Sequence, residues 1–121
     1  MATALVVDDS RTDLGIISSC LTKDGIAVIT AESGEEAIKK LENQTPDLII
    51  LDVVLPGRSG FEVCRQLKAE PKTSKIPVII CSTKGTEMDK FWGLKQGADA
   101  YLPKPINPGE LSQTINKLLV K

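Results

Sequence analysis

The chain has 121 residues, 15 basic against 16 acidic side chains, a formal net charge of −1, and 41% hydrophobic residues. A globular chain of this size buries roughly two-thirds of its unfolded surface, enough for one core and too little for two. The near-zero charge excludes a protein that coats nucleic acid through a clustered basic surplus, and no apolar stretch reaches the length of a membrane span.

Ala4-Leu5-Val6-Val7 reads as a buried strand that stops at Asp8-Asp9. Ser10 then caps a helix, with Asp13 three residues on, Leu14, Ile17 and Leu21 as its apolar stripe and Gly25 as its end. Ala27-Val28-Ile29 is a second strand, and Ser33-Gly34-Glu35-Glu36 predicts a capping box ahead of the stripe Ala37, Ile38, Leu41. Leu48-Ile49-Ile50-Leu51 is apolar without alternation, as expected of a strand covered on both faces, and ends at Asp52. Beyond Pro56-Gly57, Ser59-Gly60-Phe61-Glu62 predicts another capping box, with Phe61, Cys64 and Leu67 inward. Pro71 and Pro77 bracket a loop before the fourth strand, Val78-Ile79-Ile80-Cys81, and its turn Ser82-Thr83-Lys84-Gly85. Met88, Phe91 and Leu94 predict the inward stripe of a fourth helix closing at Gly97, with Trp92 packed at its edge near Met88. Ala98 to Leu102 is a fifth, less apolar strand, ending in Pro103-Lys104-Pro105. Asn107 caps the last helix, with Pro108 in its first turn and Leu111, Ile115 and Leu118 inward.

Five strand–helix units without linkers predict one α/β domain over 1–121, a (βα)5 flavodoxin-like three-layer sandwich around a parallel five-stranded sheet. The start Met1-Ala2-Thr3-Ala4 has no export-signal pattern. Cys20, Cys64 and Cys81 are odd in number and lack C-x-x-C spacing, so they read as core filler in a reducing cytoplasm. The absence of histidine removes Ser-His-Asp triads, His-ligated zinc and an internal histidine phospho-donor.

In an open α/β sheet, ligands sit outside the carboxyl ends of the strands. Polar residues interrupt the apolar pattern at those ends: Asp8 and Asp9, Asp52, Ser82, and Lys104. The order 2-1-3-4-5, taken from known flavodoxin-like folds, makes strands one and three neighbours, so that three carboxylates converge. Such a cluster either takes a proton or binds a hard cation, and an oxygen-only set with room for water suits Mg²⁺ best. Lys104 from the opposite side and the Ser82 hydroxyl add what the oxygens of a phosphoryl group need. Asp52, with no other obligation, is the candidate nucleophile for an aspartyl-phosphate. Each signal alone is an ordinary cap or turn residue; at the ends of four strands together they point to a site.

At these residues the chain resembles, over its whole length, the receiver domains of bacterial two-component response regulators (CheY-like). The resemblance lies in Val6-Val7-Asp8-Asp9-Ser10, Leu51-Asp52 with Leu55-Pro56-Gly57 and Gly60, Ile79-Ile80-Cys81-Ser82, and Lys104-Pro105. It implies that Asp52 accepts the phosphoryl group and that Asp8, Asp9, Asp52 and the Val54 backbone carbonyl hold Mg²⁺. It further implies that Ser82 is the switch hydroxyl, Tyr101 the aromatic that turns inward with it, Lys104 the phosphate-contacting lysine, and Lys104–Pro105 a cis peptide. A histidine kinase is the implied donor, and an output protein would bind the face of helix four, strand five and helix five. The segment from Ser82 to Ala98 resembles regulators of type IV pilus (twitching) and phototaxis pathways, so that partner is expected to be a motility or pilus protein. Thr83, Val54 and Lys84 depart from the commonest pattern, the last two at positions where other members place polar or acidic residues that orient the hydrolytic water; an apolar Val54 would hold that water poorly and prolong the phosphorylated state. No enzymatic action on other molecules is expected, no direct nucleic-acid contact and no membrane insertion. A phosphate sink without its own output partner stays open as an alternative. A flavodoxin-like carrier is disfavoured because Asp8-Asp9 would repel its ligand's phosphate, and a hydrolase of the aspartyl-phosphate type because D-x-D is missing after strand one.

Overall fold

The computed structural model describes residues 2–119; Met1, Val120 and Lys121, and with them both ends of the 1–121 domain, lie outside the described residues. Strands and helices alternate as β1 (Thr3–Val7), α1 (Arg11–Lys23), β2 (Ala27–Ala31), α2 (Gly34–Leu41), β3 (Leu48–Leu51), α3 (Gly60–Ala69), β4 (Val78–Ser82), α4 (Glu87–Lys95), β5 (Ala100–Pro103) and α5 (Pro108–Leu119). The strands pair in parallel in the order β2-β1-β3-β4-β5, the arrangement taken over from known flavodoxin-like folds. No helix among the described residues is long and apolar enough to cross a membrane.

Side-chain alternation along the strands divides the core in two. Leu5, Val7, Ile49, Leu51, Val78 and Ile80 face one way and pack with Ala37 and Leu41 of α2 and with Val63, Cys64 and Leu67 of α3. Ala4, Val6, Leu48, Ile50, Ile79, Cys81 and Leu102 face the other way, against Leu14, Ile17 and Leu21 of α1 and Leu111 and Ile115 of α5. The central strands β3 and β4 are buried along their whole length, which explains their unbroken apolar runs.

The caps are less regular than the sequence pattern suggests. Ser33 and Ser59 do accept hydrogen bonds from the backbone N–H groups of Glu36 and Glu62. The return arm of the expected box is missing at both; at Ser33 the Glu36 carboxylate accepts from the Glu32 N–H instead. A complete reciprocal box forms where none was predicted, between Thr86 and Asp89 at the start of α4.

The α4 expectation is overturned. Met88, Phe91, Trp92 and Leu94 are all exposed, and the buried residue of this helix is Gly93. A Cβ on Gly93 would lie 2.7 Å from the Tyr101 ring and 3.3 Å from Ile80 Cδ1, so the glycine is the point of closest approach to the sheet. Helical geometry then turns Phe91, Trp92 and Leu94 away from the core. Trp92 accordingly remains half exposed instead of packing against a neighbouring helix.

Candidate functional site

Backbone register brings the polar strand ends together. Val7 pairs with Leu51, so Asp8 and Asp52 are the next residues on adjacent strands. The Asp52 N–H donates to the Val7 carbonyl at 3.0 Å, and the Asp8 N–H donates to Ala31 at 3.0 Å, which fixes both residues just past the sheet. Ser82 pairs with Pro103, and the Lys104 N–H donates to the Ser82 carbonyl at 3.0 Å. Carried one step on, the alternation of Val6, Ile50 and Leu102 aims Asp8, Asp52 and Lys104 toward the α1 side of the sheet.

Gly60 completes the frame from below. Its N–H donates to the Val53 carbonyl at 2.8 Å, and a Cβ there would lie 2.0 Å from the Asp52 carbonyl oxygen. Backbone approaches this near to the Asp52 peptide only because the residue has no side chain.

Asp8, Asp9 and Asp52 offer one carboxylate oxygen each within 4.8 Å of one another. Asp8 and Asp52 are buried while Asp9 is exposed, so the cluster opens to solvent on one side. Oxygen-only donors at this spacing, partly open to water, fit a hard divalent cation such as Mg²⁺. Val54, also expected near the metal, has an exposed side chain, and its N–H donates to Asp52 Oδ1 at 3.2 Å.

Lys104 is not opposite the carboxylates but among them. Its Nζ lies 2.7 Å from Asp8, 2.8 Å from Asp13 and 2.9 Å from Asp52, with 7% of its side chain exposed. Coexistence of the carboxylates therefore does not depend on a divalent ion alone, since this ammonium already bridges Asp8 and Asp52. Burial opposes the charge on Lys104, but the hydrogen bonds to Asp13, Asp8 and Asp52 outweigh it and raise its pKa. Burial likewise raises the Asp8 carboxyl above its ordinary value, against the lowering effect of the bonds from Lys104 and the Ser10 N–H. Lys104–Pro105 is cis.

Ser82 and Tyr101 lie on the other parity, with Ile80, facing α4. The Ser82 Oγ accepts from the Lys84 N–H at 3.2 Å, and the Tyr101 hydroxyl donates to the Lys84 carbonyl. One peptide segment thus touches both. Tyr101 is partly buried against the core beside Gly93, and desolvation pushes its phenol up to about 12.

The chain matches the model of the response regulator receiver domain over residues 4–116. It belongs to that family. It is similar to protein PilH of Pseudomonas aeruginosa, 44% identical over 119 residues that cover 98% of each chain. It is also similar to the alkaline phosphatase synthesis transcriptional regulatory protein PhoP of Bacillus subtilis, 43% identical over 95% of this chain but only 47% of that protein. The solved structure of the chemotaxis response regulator CheY4 of Vibrio cholerae superposes with a TM-score of 0.91 at 34% identity, covering 98% of this chain and 99% of that one.

The roles of two residues in this receiver domain's site escape the sequence pattern. Asp13 reads locally as the favourable negative charge of a helix start, and its contact with Lys104 shows only once the fold brings the residue after β5 across to the start of α1. Lys84 is singled out in the sequence for its side chain, whereas here it takes part through its backbone, a role that no residue type announces.

Proposed function

We propose that this chain, as a single receiver domain over 1–121, takes a phosphoryl group from a histidine kinase onto Asp52 and signals through a phosphorylation-dependent protein contact. The observation that carries this reading is the meeting of three carboxylates from β1 and β3 with the Lys104 ammonium at one open rim. Asp8, Asp9, Asp52 and the Val54 carbonyl are the residues assigned to Mg²⁺, which when bound would neutralise charge on the transferred phosphoryl oxygens.

In the transfer, an Asp52 carboxylate oxygen attacks the phosphorus of the phosphohistidine. The P–N bond breaks, and its electron pair stays on the donor imidazole. Lys104 supplies positive charge at Asp52, and Gly60 and the Val7 carbonyl hold the Asp52 backbone in place. The new group then offers Ser82 a charge-assisted acceptor. When the Ser82 hydroxyl turns to it, the Lys84 N–H loses its acceptor, the segment after β4 shifts, and with it the carbonyl that holds Tyr101. That change reaches α4, whose exposed Met88, Phe91, Trp92 and Leu94 favour a messenger with a docking face over a bare phosphate sink. The assigned output face is α4, β5 and α5. The pilus or motility setting rests on the residues from Ser82 to Ala98 and on the similarity to protein PilH, and a cytoplasmic location on the three unpaired cysteines.

The test is incubation with acetyl phosphate and Mg²⁺, read by intact mass. The wild type gains the mass of one phosphoryl group, and excess EDTA or Asp52→Asn abolishes the gain. Equal uptake by Asp52→Asn would overturn the proposal.

A further inference from the structure

An ammonium carries three protons, and each of those on Lys104 faces a different carboxylate: Asp8, Asp13 and Asp52. A phosphoryl oxygen arriving at Asp52 therefore finds no free donor on this lysine, and one carboxylate must give way. Asp8 is buried and is also tied by the Ser10 N–H at 2.9 Å. Asp13 is 31% exposed at its side chain, and among the described residues Lys104 is its carboxylate's hydrogen-bond partner. Its position, three residues after the Ser10 cap, would ordinarily send the carboxylate back to the cap's N–H. Asp8 has taken that N–H, so the Asp13 side chain is available to turn toward β5.

We propose that Asp13 is a positioning residue acting through Lys104, a counter-ligand that competes with the phosphoryl group for the ammonium. It weakens the site for a phosphoryl-like anion on Asp52 and strengthens it for a divalent cation. The charge logic runs in opposite directions for the two ligands. Removing Asp13 frees one donor on Lys104 and takes a negative charge away from an incoming anion. The same removal deprives a cation of an attractive charge and leaves Lys104 less neutralised beside it. The inference rests on the reading of Asp52 as the phosphoryl acceptor.

Calorimetric titration of the whole chain with Mg²⁺ alone, and with beryllofluoride at saturating Mg²⁺, tests it. For a charge separated from the ligand by one lysine ammonium, Asp13→Asn is expected to tighten beryllofluoride about threefold to tenfold and to weaken Mg²⁺ by a similar factor. Asp13→Glu restores both affinities toward the wild-type values. A loosened structure would weaken both ligands together, and that result, or an unchanged beryllofluoride affinity, overturns the proposal for Asp13. A wild type that binds Mg²⁺ but no beryllofluoride overturns the phosphoryl reading as well, which separates the two failures.

Discussion

Replacing Lys104 by methionine keeps a side chain of similar length and removes the ammonium that joins Asp8, Asp13 and Asp52. Asp8 and Asp52 are left 1% and 7% exposed at their side chains with no counter-charge between them. Breaking one side of a buried pair costs about 3–5 kcal/mol, because the remaining charge stays desolvated. That is the expected loss of unfolding free energy for Lys104→Met in excess EDTA. Mg²⁺ should recover part of it. In the wild type a dication on these carboxylates sits a few ångströms from the ammonium, a repulsion of about 1–3 kcal/mol at intermediate to high effective dielectric. The variant is thus expected to bind Mg²⁺ about fivefold to a hundredfold more tightly, and saturating Mg²⁺ should narrow its stability deficit accordingly. Urea unfolding in EDTA and in Mg²⁺, with a Mg²⁺ titration of both proteins, measures each quantity. A deficit identical in the two buffers, together with unchanged or weaker Mg²⁺ binding, would refute the electrostatic reasoning.

Gly60→Ala pushes a methyl group against the Asp52 backbone and should cost more than about 3 kcal/mol in urea unfolding; a loss under about 1 kcal/mol would contradict the close approach. Gly93→Ala drives a methyl into the Tyr101 ring, so the phenol should leave its buried seat and its pKa fall from about 12 toward 10, read by ultraviolet titration. An unmoved pKa would show that the ring is seated by something else. Burial holds the Cys64 and Cys81 thiols at about 11 and 12, while the unfolded chain ionises them near the ordinary thiol value. The unfolded state therefore binds fewer protons above pH ~9, and stability should fall by about 1.4 kcal/mol per pH unit for each thiol held protonated. Replacing both by alanine should flatten that slope, and a slope unchanged in the double variant would place the effect elsewhere. At neutral pH a disulfide reagent should titrate one thiol quickly in the native protein, the partly exposed Cys20, and all three after denaturation.

The fold was legible because burial leaves a plain mark on strands. Leu48-Ile49-Ile50-Leu51 and Val78-Ile79-Ile80-Cys81 are covered on both faces, so no polar residue interrupts them until the sheet ends. Asp52 and Ser82 stood out for the same reason, as the first polar residues after those runs, and Asp8, Asp9 and Lys104 as polar residues just past the ends of β1 and β5. What the pattern could not convey was contact between segments far apart in the chain. Asp13 has a sufficient local explanation as a helix-start acid, and only the placement of β5 reveals the lysine it meets. The face of α4 was misread because hydrophobic periodicity gives weight to Met88, Phe91 and Leu94 and none to Gly93, although close packing is decided by the residue that takes least room. The unpaired arm at Ser33 has a similar origin: a short spacing motif names two partners, and a neighbouring N–H can claim one of them first.

Signalling by this domain depends most on which carboxylate becomes covalently modified. Borohydride reduces an acyl phosphate to the alcohol and so turns a phosphorylated aspartate into homoserine, a mark that peptide mass mapping can place. After acetyl phosphate and Mg²⁺, homoserine at position 52 with Asp8, Asp9 and Asp13 intact is the predicted result. Homoserine at any of those three with Asp52 unchanged would contradict it.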